Sequence, residues 1–453
     1  MKQLIISALA LAALSGCGVY GKYQPATEAD RNLYGKEYVS SDTASIATLS
    51  YKEMFRDIYL QRLIDTALVR NTDLKTAYLC VGQAEAALST ARLAYLPSVN
   101  MGAEGGLSKW DGSTAKTYNI NGAASWEIDI FGKATAAKRE ALASLEKSDA
   151  YRQAVQTSLV SSVATTYYTL LMLDEQISIT EQTLENWTRT VSTLRSLARA
   201  GSVNEVAVLQ AESNKATLEA SLLTKRKSLK ETENTMCLLL ARTPGRIERG
   251  KLAGQDFPES MSIGVPVQLL ANRPDVREAE MSLAKAFYAT NAARAAFYPS
   301  ITLSGSAGWT NNGGGIVLNP GQWLLNAIGS LTQPLFNRGT NIANLKAAKA
   351  EQEIASLAFR QKLLEAGGEV NNALTAVQTA RERFKTNSRS EASLQEAVRK
   401  TELLMRHSSV NYMEVLTAQQ SLLDVRQTLA QDKFDEIQGI ITLYNALGGG
   451  VTE

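Results

Sequence analysis

Histidine, cysteine and proline are scarce in this 453-residue sequence, which has one histidine, His407, three cysteines and nine prolines. So few imidazole and thiol groups leave little material for a zinc site or a histidine-based catalytic centre. The GxSxG, P-loop and HExxH patterns of common enzymes are absent. Because Ala, Leu, Glu, Gln and Lys are abundant, the composition favours extensive helix. We predict a protein that is not an enzyme and has no cofactor and no metal site.

An excess of charge of one sign is also missing. The 47 Lys and Arg residues nearly balance the 45 Asp and Glu residues, which leaves a formal net charge of +2. Nucleic-acid binders generally carry a broad basic surface, so nucleic acid is excluded as a partner. Long apolar runs are lacking too. The nearest candidate after residue 17, residues 153–173, is uncharged but rich in Ser, Thr and Gln, and therefore suits packing against other helices better than lipid.

The N-terminus has the pattern of a secretory signal: Lys2 precedes a mostly apolar run, residues 3–14, followed by small residues. The run is shorter than the about 20 residues that span a bilayer. Leu14-Ser15-Gly16-Cys17 resembles the lipobox of bacterial lipoproteins, in which the cysteine becomes an acylated N-terminus. The alternative is an ordinary signal peptide with a chance cysteine. We predict a signal peptide over 1–16, lipidation of Cys17 and an extended segment over 17–58.

The sequence also contains an internal duplication. Residues 91–99 recur as 293–301 at an offset of 202 residues, residues 130–133 pair with 335–338 at 205, and residues 202–204 pair with 409–411 at 207. A slowly growing offset in a constant order indicates an old duplication with small insertions. We predict repeat 1 over 59–245, an equatorial linker over 246–264 and repeat 2 over 265–450. Each repeat reads as helix, two strands, long helix and return helix.

Four segments alternate apolar with small or polar residues: 97–109, 117–131, 299–310 and 322–335. Such alternation over about ten residues, with aromatics near the ends, is typical of lipid-exposed barrel strands. The alternative is a half-buried strand in a soluble sandwich. The lipid anchor, the strand lengths and the small or polar opposite face favour the membrane. Residues 108–116 and 310–322, rich in Gly, Asn and Ser, are predicted to be the loops between paired strands.

Four strands cannot close a barrel by themselves. Bacterial barrels begin at about eight strands, and an open edge in lipid leaves backbone groups unpaired. Two copies would give eight strands and a lumen filled by side chains, whereas three copies would give twelve and an aqueous bore. The chain must therefore oligomerise if the barrel prediction holds.

The helical segments are long. Residues 134–200 contain neither proline nor glycine and carry a heptad seam that includes Leu170, Trp187 and Leu194. Some 65 residues at 1.5 Å each make a rod of about 100 Å. Gly201 then ends this helix, and Ser202 with Glu205 has capping-box spacing for the return helix. A shorter initial helix, residues 60–94, is predicted in repeat 1. Cys80 and Cys237 fall on separate helices and are expected to be free, buried thiols.

Together these features resemble the TolC-like outer-membrane efflux proteins, in the lipoprotein branch that serves RND-type multidrug pumps. The resemblance covers roughly residues 25–450. It is carried by the lipobox, Asn272-Arg273-Pro274-Asp275-Val276, Ala296-Phe297-Tyr298-Pro299-Ser300-Ile301, Gln333-Pro334-Leu335-Phe336, Val415-Leu416-Thr417-Ala418-Gln419 and Leu443-Tyr444-Asn445-Ala446-Leu447-Gly448-Gly449-Gly450.

This resemblance implies a mixed α/β membrane protein, lipid-anchored in the outer membrane of a Gram-negative bacterium. Three copies would form a 12-stranded β-barrel and a coiled-coil α-barrel in the periplasm. It further implies passive export of small molecules such as drugs, powered by an inner-membrane RND-type pump through a periplasmic adaptor protein. The alternatives are a conduit for type I protein secretion and a coiled-coil structural lipoprotein that forms no channel.

The resemblance also implies a gate at the periplasmic helical tips, formed by acidic and hydrogen-bonding residues. Glu414, just before Val415-Leu416, is the first candidate, and Tyr412 and Glu205 occupy matching positions beside the two turns. Thr417 stands where the family often has a second acidic residue. The alternative for Glu414 is a solvated carboxylate on a helix face. A ring of three carboxylates would favour cations and resist close approach.

Overall fold

The computed structural model describes residues 21–25, 33–34, 45–110, 112–255, 257, 263, 272–313, 316–406 and 412–450. The predicted signal peptide, the lipidation residue Cys17 and the second helical turn with His407 lie outside these residues. A 3₁₀ turn (Ile46–Thr48) and a short helix, α1 (Tyr51–Met54), precede the first repeat.

Repeat 1 contains α2 (Ile58–Arg70), α3 (Thr72–Leu93), β1 (Ser98–Trp110), β2 (Ser113–Ile128), α4 (Lys133–Arg199) and α5 (Glu205–Leu239). Repeat 2 contains α6 (Pro274–Ala295), β3 (Ser300–Gly313), β4 (Ile316–Thr332), α7 (Thr340–Arg406) and α8 (Tyr412–Ala446). Equivalent helices have equal lengths: α3 and α6 have 22 residues, α4 and α7 have 67, and α5 and α8 have 35. The internal duplication is confirmed.

The first helix of repeat 1 is broken, contrary to the prediction of one helix over 60–94. Asn71 leaves the helical conformation, with ψ 134°. Its Oδ1 accepts hydrogen bonds from the backbone N–H groups of Asp73 (2.9 Å) and Leu74 (3.0 Å). A side-chain acceptor that satisfies free N–H groups starts a new helix, so Asn71 caps α3.

The turn between α4 and α5 uses a different cap from the predicted one. The N–H of Ser202 donates to the carbonyl of Leu197, and Gly201, at φ 75°, donates to that of Ala198. This pair of bonds is a Schellman motif, so Ser202 belongs to the end of α4. The N-cap of α5 is Asn204, whose Oδ1 accepts from Val206 N–H at 3.2 Å. The predicted capping box of Ser202 with Glu205 is therefore wrong.

The four strands form one antiparallel sheet in the order β1-β2-β3-β4. The hairpins are tighter than predicted. β2 begins at Ser113 rather than 117, with Lys109 paired to Thr114, and β4 begins at Ile316 rather than 322. Polar and glycine residues suggested loops there, but ladder bonds need only backbone groups. Both strands also end earlier than predicted, β2 at Ile128 instead of 131 and β4 at Thr332 instead of 335. β4 ends ahead of Pro334, which has no N–H to donate to a ladder.

The strand register corrects one part of the repeat alignment. Ser98 pairs with Ser125 in the first hairpin, and Ser300 pairs with Thr332 in the second. The first members are 202 residues apart and the second members 207, the offset that also separates the starts of α4 and α7. The offset of 205 read from residues 130–133 is therefore wrong. The extra residues lie where the register of β3 with β4 shifts, between Thr310 and Asn312.

The chain divides into two compact units. The first comprises residues 1–26, 79–150 and 277–362 and contains the sheet. Its small helical core consists of Ala143, Ala284 and Tyr288, with Tyr23 and Phe287 packed against it. Gly21 and Tyr23 are held there by hydrogen bonds, because Asn291 donates to the Gly21 carbonyl (3.0 Å) and Tyr23 N–H donates to the Tyr288 hydroxyl (3.4 Å).

The second unit comprises residues 27–78, 151–276 and 363–453. Most of the predicted heptad seam of α4 is buried in it, including Leu170, Trp187 and Leu194. Cys237 is buried and Cys80 of the first unit is half-buried, and both thiols are free. The expectation that Cys80 is fully buried is therefore wrong. None of the described helices has the length and hydropathy that crossing a membrane requires.

Candidate functional site

The sheet has one strongly apolar face. Directly paired residues share a face, and the register pairs Met101 with Gly122, Ile120 with Trp309, and Trp309 with Trp323. The apolar positions predicted on the four strands therefore lie together. The large side chains on this face are exposed: Val99, Met101, Leu107, Ile120, Trp126, Leu303, Trp309, Trp323, Leu325 and Leu331. A continuous exposed apolar face on strands of 13 to 17 residues is suited to contact with hydrocarbon.

Aromatic side chains lie near both ends of the strands. Trp309 and Trp323 pack edge to face at 5.9 Å, and Trp309 Nε1 donates to the Tyr118 hydroxyl. Beyond the opposite strand ends, Phe131 stacks on Tyr298 at 5.0 Å. Aromatic rings with polar partners are typical of the two interfacial girdles of a membrane barrel.

The other face is mostly small or polar, as predicted, and carries residues such as Asn100, Glu104, Asn121 and Ser306. Leu324 and Ile328 of β4 depart from this pattern. They alternate with Trp323 and Leu325, so they point away from the apolar face, and each is about half exposed (52%). The alternation along β4 predicts its apolar face alone and gives no sign of these two exposed apolar side chains on the other face.

At the helical turns, three helices form one hydrophobic cluster, which we call the tip cluster. It consists of Trp187, Val191 and Leu194 from α4, Ala207, Val208, Ala211 and Leu218 from α5, and Leu416 and Leu423 from α8. Tyr412 is partly buried and packs against this cluster. Glu205 and Glu414 are exposed, each in the first turn of its helix. Of the three gate candidates, the structure brings only Tyr412 into the packing.

Gln419 is a buried tip residue that is not among the three predicted gate residues. It is buried on α8, where its Nε2 donates to Glu402 Oε1 of α7 at 2.9 Å and to Thr190 Oγ1 of α4 at 3.4 Å. One amide therefore joins helices of both repeats. Gln427 extends this connection, donating to Thr180 Oγ1 at 3.3 Å. Gln419 is the last residue of the Val415–Gln419 motif, and membership of this motif is the one sequence feature that could have identified it.

Further along α7 and α8, charged pairs join the two helices. Asp432 is completely buried and contacts Arg383 and the Asn387 amide. Glu436 pairs with Arg381 (2.8 Å). Burial would raise the pKa of Glu436, but hydrogen bonds from Arg381 and Lys433 outweigh it and lower the pKa. These pairs hold α8 against α7.

Two arginines stabilise the segments that follow the return helices. Arg249 bridges Asp174 and Glu233, and Arg273 pairs with Asp275 and Glu369. Burial alone would lower the pKa of Arg273, but its two carboxylate partners raise it, so the guanidinium stays charged. Among the described residues no group of His, Cys, Asp and Glu is arranged to hold a metal ion.

Comparison with known proteins agrees with this geometry. The family model described as outer membrane efflux protein matches residues 63–242 and 265–449. The chain is 30% identical over 448 residues to the cation efflux system protein CusC of Escherichia coli, covering 97% of this chain and 96% of the relative. It is 30% identical over 463 residues to the probable outer membrane lipoprotein SilC of Salmonella typhimurium, covering 100% and 99%.

Among solved structures, the open state of the Neisseria gonorrhoeae MtrE outer membrane channel superposes with a TM-score of 0.86 at 28% identity. The match covers 96% of this chain and 99% of the other. A lipid-compatible sheet joined to very long helices defines a channel subunit rather than an enzyme. The chain belongs to the outer membrane efflux protein family, whose members are efflux channels of the Gram-negative outer membrane.

Proposed function

We propose that this chain is the outer-membrane channel of a tripartite efflux system and forms a passive conduit for small molecules. The observation that carries the proposal is the sheet. One face is apolar and exposed and the other is largely polar, and within the part of the chain that the structure describes no further strand pairs with the outer edges of β1 and β4. Unpaired edges in lipid are costly, so the sheet has to be completed by other copies. Three copies supply twelve strands, enough for an aqueous bore.

A passive conduit needs another protein to supply the energy for export. The chain has no nucleotide-binding motif, so we assign the work to an inner-membrane RND-type pump that is coupled through a periplasmic adaptor protein. CusC, a named component of a cation efflux system, supports this assignment. Crosslinking in cells followed by identification of the captured adaptor tests it. An adaptor of a type I secretion system would instead support protein export.

The domain division and the anchor are part of the proposal. Residues 1–16 act as the signal peptide, Cys17 carries the lipid, and residues 59–245 and 265–450 act as the two repeats around the linker 246–264. The lipoprotein name of SilC supports acylation. Cys17→Ser should abolish labelling with a radioactive fatty acid, and label that persists would refute the lipobox.

We further propose that the helical turns act as the gate, with Glu414 and Glu205 as charged residues and Tyr412 as a packing residue. The exposure of both carboxylates next to the tip cluster supports this assignment, because exposed like charges repel when copies approach each other. In planar bilayers, Glu414→Gln should raise single-channel conductance or weaken cation preference. Glu382→Gln, an exposed carboxylate on α7, is the control. Unchanged conductance and selectivity in Glu414→Gln would remove Glu414 from the gate.

The oligomer can be tested independently. Detergent-solubilised protein should have the mass of three copies of the 49.1 kDa chain, less the signal peptide, when light scattering is corrected for detergent. A monodisperse monomer that conducts would contradict the proposed channel.

A further inference from the structure

We propose that Lys109 and Lys116 form a binding site for the phosphate groups of a phosphorylated glycolipid in the outer leaflet of the membrane. Both lysines lie at the hairpin end of β1 and β2, in the unit of the chain that contains the sheet. The inference rests on the proposed placement of the sheet in the outer membrane, and it adds a lipid that the sheet binds.

The charged side chains of the sheet are divided by sign between its two faces. Lys116 is paired with Leu107 of the apolar face, and directly paired residues share a face. Lys109 follows Leu107 by two residues and therefore lies on the same face. The other charged residues in the described parts of the four strands are Glu104 and Glu127, and both alternate with apolar-face residues. The acidic residues therefore lie on the polar face, and the apolar face carries positive charge only.

Strand geometry gives the depth of Lys116 in the membrane. The apolar face of β2 runs from Ile128 to Tyr118, a separation of 128 − 118 = 10 residues, or about 34 Å along an antiparallel strand. A strand tilt of about 40° reduces this length to about 26 Å, which matches the height of the apolar band of a membrane barrel. Lys116 is the next residue on this face, and its long side chain can place the amine beyond the hydrocarbon. The hairpin ends are opposite the strand ends that connect to the helices, so this is the outer leaflet.

The second hairpin supports the same depth. Its paired residues Trp309 and Trp323 are the counterparts, at offsets of 202 and 207, of the paired residues Leu107 and Lys116. Tryptophan pairs of this kind mark the interfacial girdle of a barrel. Since equivalent residues of repeated hairpins lie at similar depth in a closed barrel, Lys116 lies at the level of the lipid headgroups. A tryptophan at this level offers one N–H group, whereas a lysine can form an ion pair with a phosphate.

Neither lysine has an acidic partner in the part of the chain that the structure describes, and both are exposed. By contrast, Lys133, beyond the opposite end of β2, pairs with Glu127 at 2.9 Å. Lys109 and Lys116 are diagonal neighbours across the β1–β2 pair, which places their Cα atoms about 7 to 8 Å apart. Two amines this close repel each other, and a phosphate bound between them removes that repulsion and accepts hydrogen bonds from both.

The backbone at Lys116 is held in place by Asn311, which is buried (5% exposed). The Asn311 side chain donates through Nδ2 to the Lys116 carbonyl at 2.8 Å and accepts through Oδ1 from the Tyr118 N–H at 2.7 Å. The Tyr118 hydroxyl in turn accepts a hydrogen bond from the Gly321 N–H at 3.0 Å. The strand end that carries Lys116 is therefore ordered before the lipid binds, which lowers the entropic cost of binding.

Binding of diphosphorylated lipid A to the purified full-length protein tests the proposal. Radiolabelled lipid A in micelles of an uncharged detergent is titrated against immobilised protein, which gives a dissociation constant. Lys109→Gln combined with Lys116→Gln removes both amines, whereas Lys109→Arg combined with Lys116→Arg keeps both charges. Lys251→Gln combined with Lys385→Gln is the matched control, because it removes two exposed lysines that lie outside the sheet.

The Lys109→Gln, Lys116→Gln variant should bind lipid A about tenfold more weakly than the parent, because two charge-assisted contacts with phosphate are lost. The arginine variant and the matched control should bind like the parent. Lipid A from which both phosphates have been removed should bind the parent and the glutamine variant equally. Variants are compared only if their bilayer conductance matches that of the parent, and the two single glutamine variants replace a double variant that fails this requirement.

Equal binding of diphosphorylated lipid A by the parent and the glutamine variants would overturn the site, and so would an equal loss of binding in the matched control. Displacement of lipid A by an excess of inorganic phosphate would show a site for free phosphate and overturn the assignment to a lipid. A parent protein that is absent from the outer-membrane fraction or does not conduct would contradict the proposed function instead.

Discussion

The side-chain amide of Asn71 donates a hydrogen bond to the carbonyl of Leu239 at 3.0 Å, which ties the start of α3 to the end of α5. In repeat 2 an arginine guanidinium, in place of the asparagine amide, makes the equivalent hydrogen bond. Arg273 donates through Nη1 to the carbonyl of Ala446 at 2.9 Å, and these residues match Asn71 and Leu239 at the offsets of 202 and 207. Both bonds satisfy a carbonyl in the last turn of a return helix, where no intrahelical donor is available.

Arg273→Ala should therefore destabilise the protein. The change leaves the buried Ala446 carbonyl without this donor, and Asp275 and Glu369 each lose their ion pair with Arg273. The expected cost is on the order of 2 kcal/mol. Chemical denaturation in detergent, followed by circular dichroism, measures the effect. Arg62→Ala, an exposed helical arginine, should change stability by less than about 0.5 kcal/mol. Equal effects of the two substitutions would show that Arg273 contributes only as a surface charge.

The two return helices also end in equivalent Schellman motifs, one of which is strained. Ala241 adopts φ 48°, whereas its counterpart Gly448 has φ 88°. A left-handed conformation costs a residue with a Cβ about 1 to 2 kcal/mol. Ala241→Gly should raise the thermal unfolding midpoint, since relief of this strain exceeds the added chain entropy of glycine.

Gly448→Ala is the reciprocal change and should lower the midpoint. Besides the positive φ, the new Cβ would clash with the backbone of Asn272. If both substitutions shift the midpoint in the same direction, the backbone conformation at these two residues does not control the stability of the helix ends.

The apolar face of the sheet predicts a strong difference between two adjacent residues of β1. Met101 lies on the apolar face and is 85% exposed, while Asn100 lies on the opposite face. Met101→Arg should reduce the yield of assembled trimer in the outer membrane, because an arginine in mid-bilayer costs a lipid-facing strand about 2 to 4 kcal/mol.

Asn100→Arg is the matched control and should assemble normally. The amount of heat-resistant trimer in unboiled gel samples reports both outcomes. Normal assembly of Met101→Arg would place this face away from lipid and contradict the membrane assignment of the sheet.

The buried amide of Gln419 predicts a pH-dependent tip. Gln419→Glu places a second carboxylate beside Glu402, to which the amide donates at 2.9 Å in the native protein. When both carboxylates are charged they repel each other, so the variant should leak at neutral pH. As the pH is lowered, one carboxylate takes up a proton and the pair can again share a hydrogen bond. The basal conductance should then fall toward the parent value.

Gln420→Glu provides the comparison at the next residue. Gln420 is exposed and donates to Asp424 Oδ1, also at 2.9 Å, so solvent screens the added charge. Its conductance should match the parent across the same pH range in planar bilayers. A neutral-pH leak of similar size in both variants would mean that added charge alone, and not the buried contact, opens the tip.

Much of the architecture could be predicted from local patterns. Alternation with period two identified the four strands and their apolar face, because a strand face is set by parity and does not depend on what it packs against. The duplication and the 67-residue helices followed from recurring motifs and from the absence of Pro and Gly. The break at Asn71 and the cap at Asn204 were misplaced because several neighbouring residues could serve as a helix cap, and only the folded backbone selects one of them.

By itself, the amino-acid sequence determined the repeated order of helices and strands and the apolar face of each strand, because these follow from periodicity, which is a local property. Tertiary structure alone decided the strand register, the point in β3 and β4 at which the offset becomes 207, the exposure of Leu324 and Ile328, and the bonds of Gln419 to Glu402 and Thr190. Each of these depends on which residues, distant in sequence, come to lie side by side, and several arrangements of similar local quality are distinguished only by how the whole chain packs.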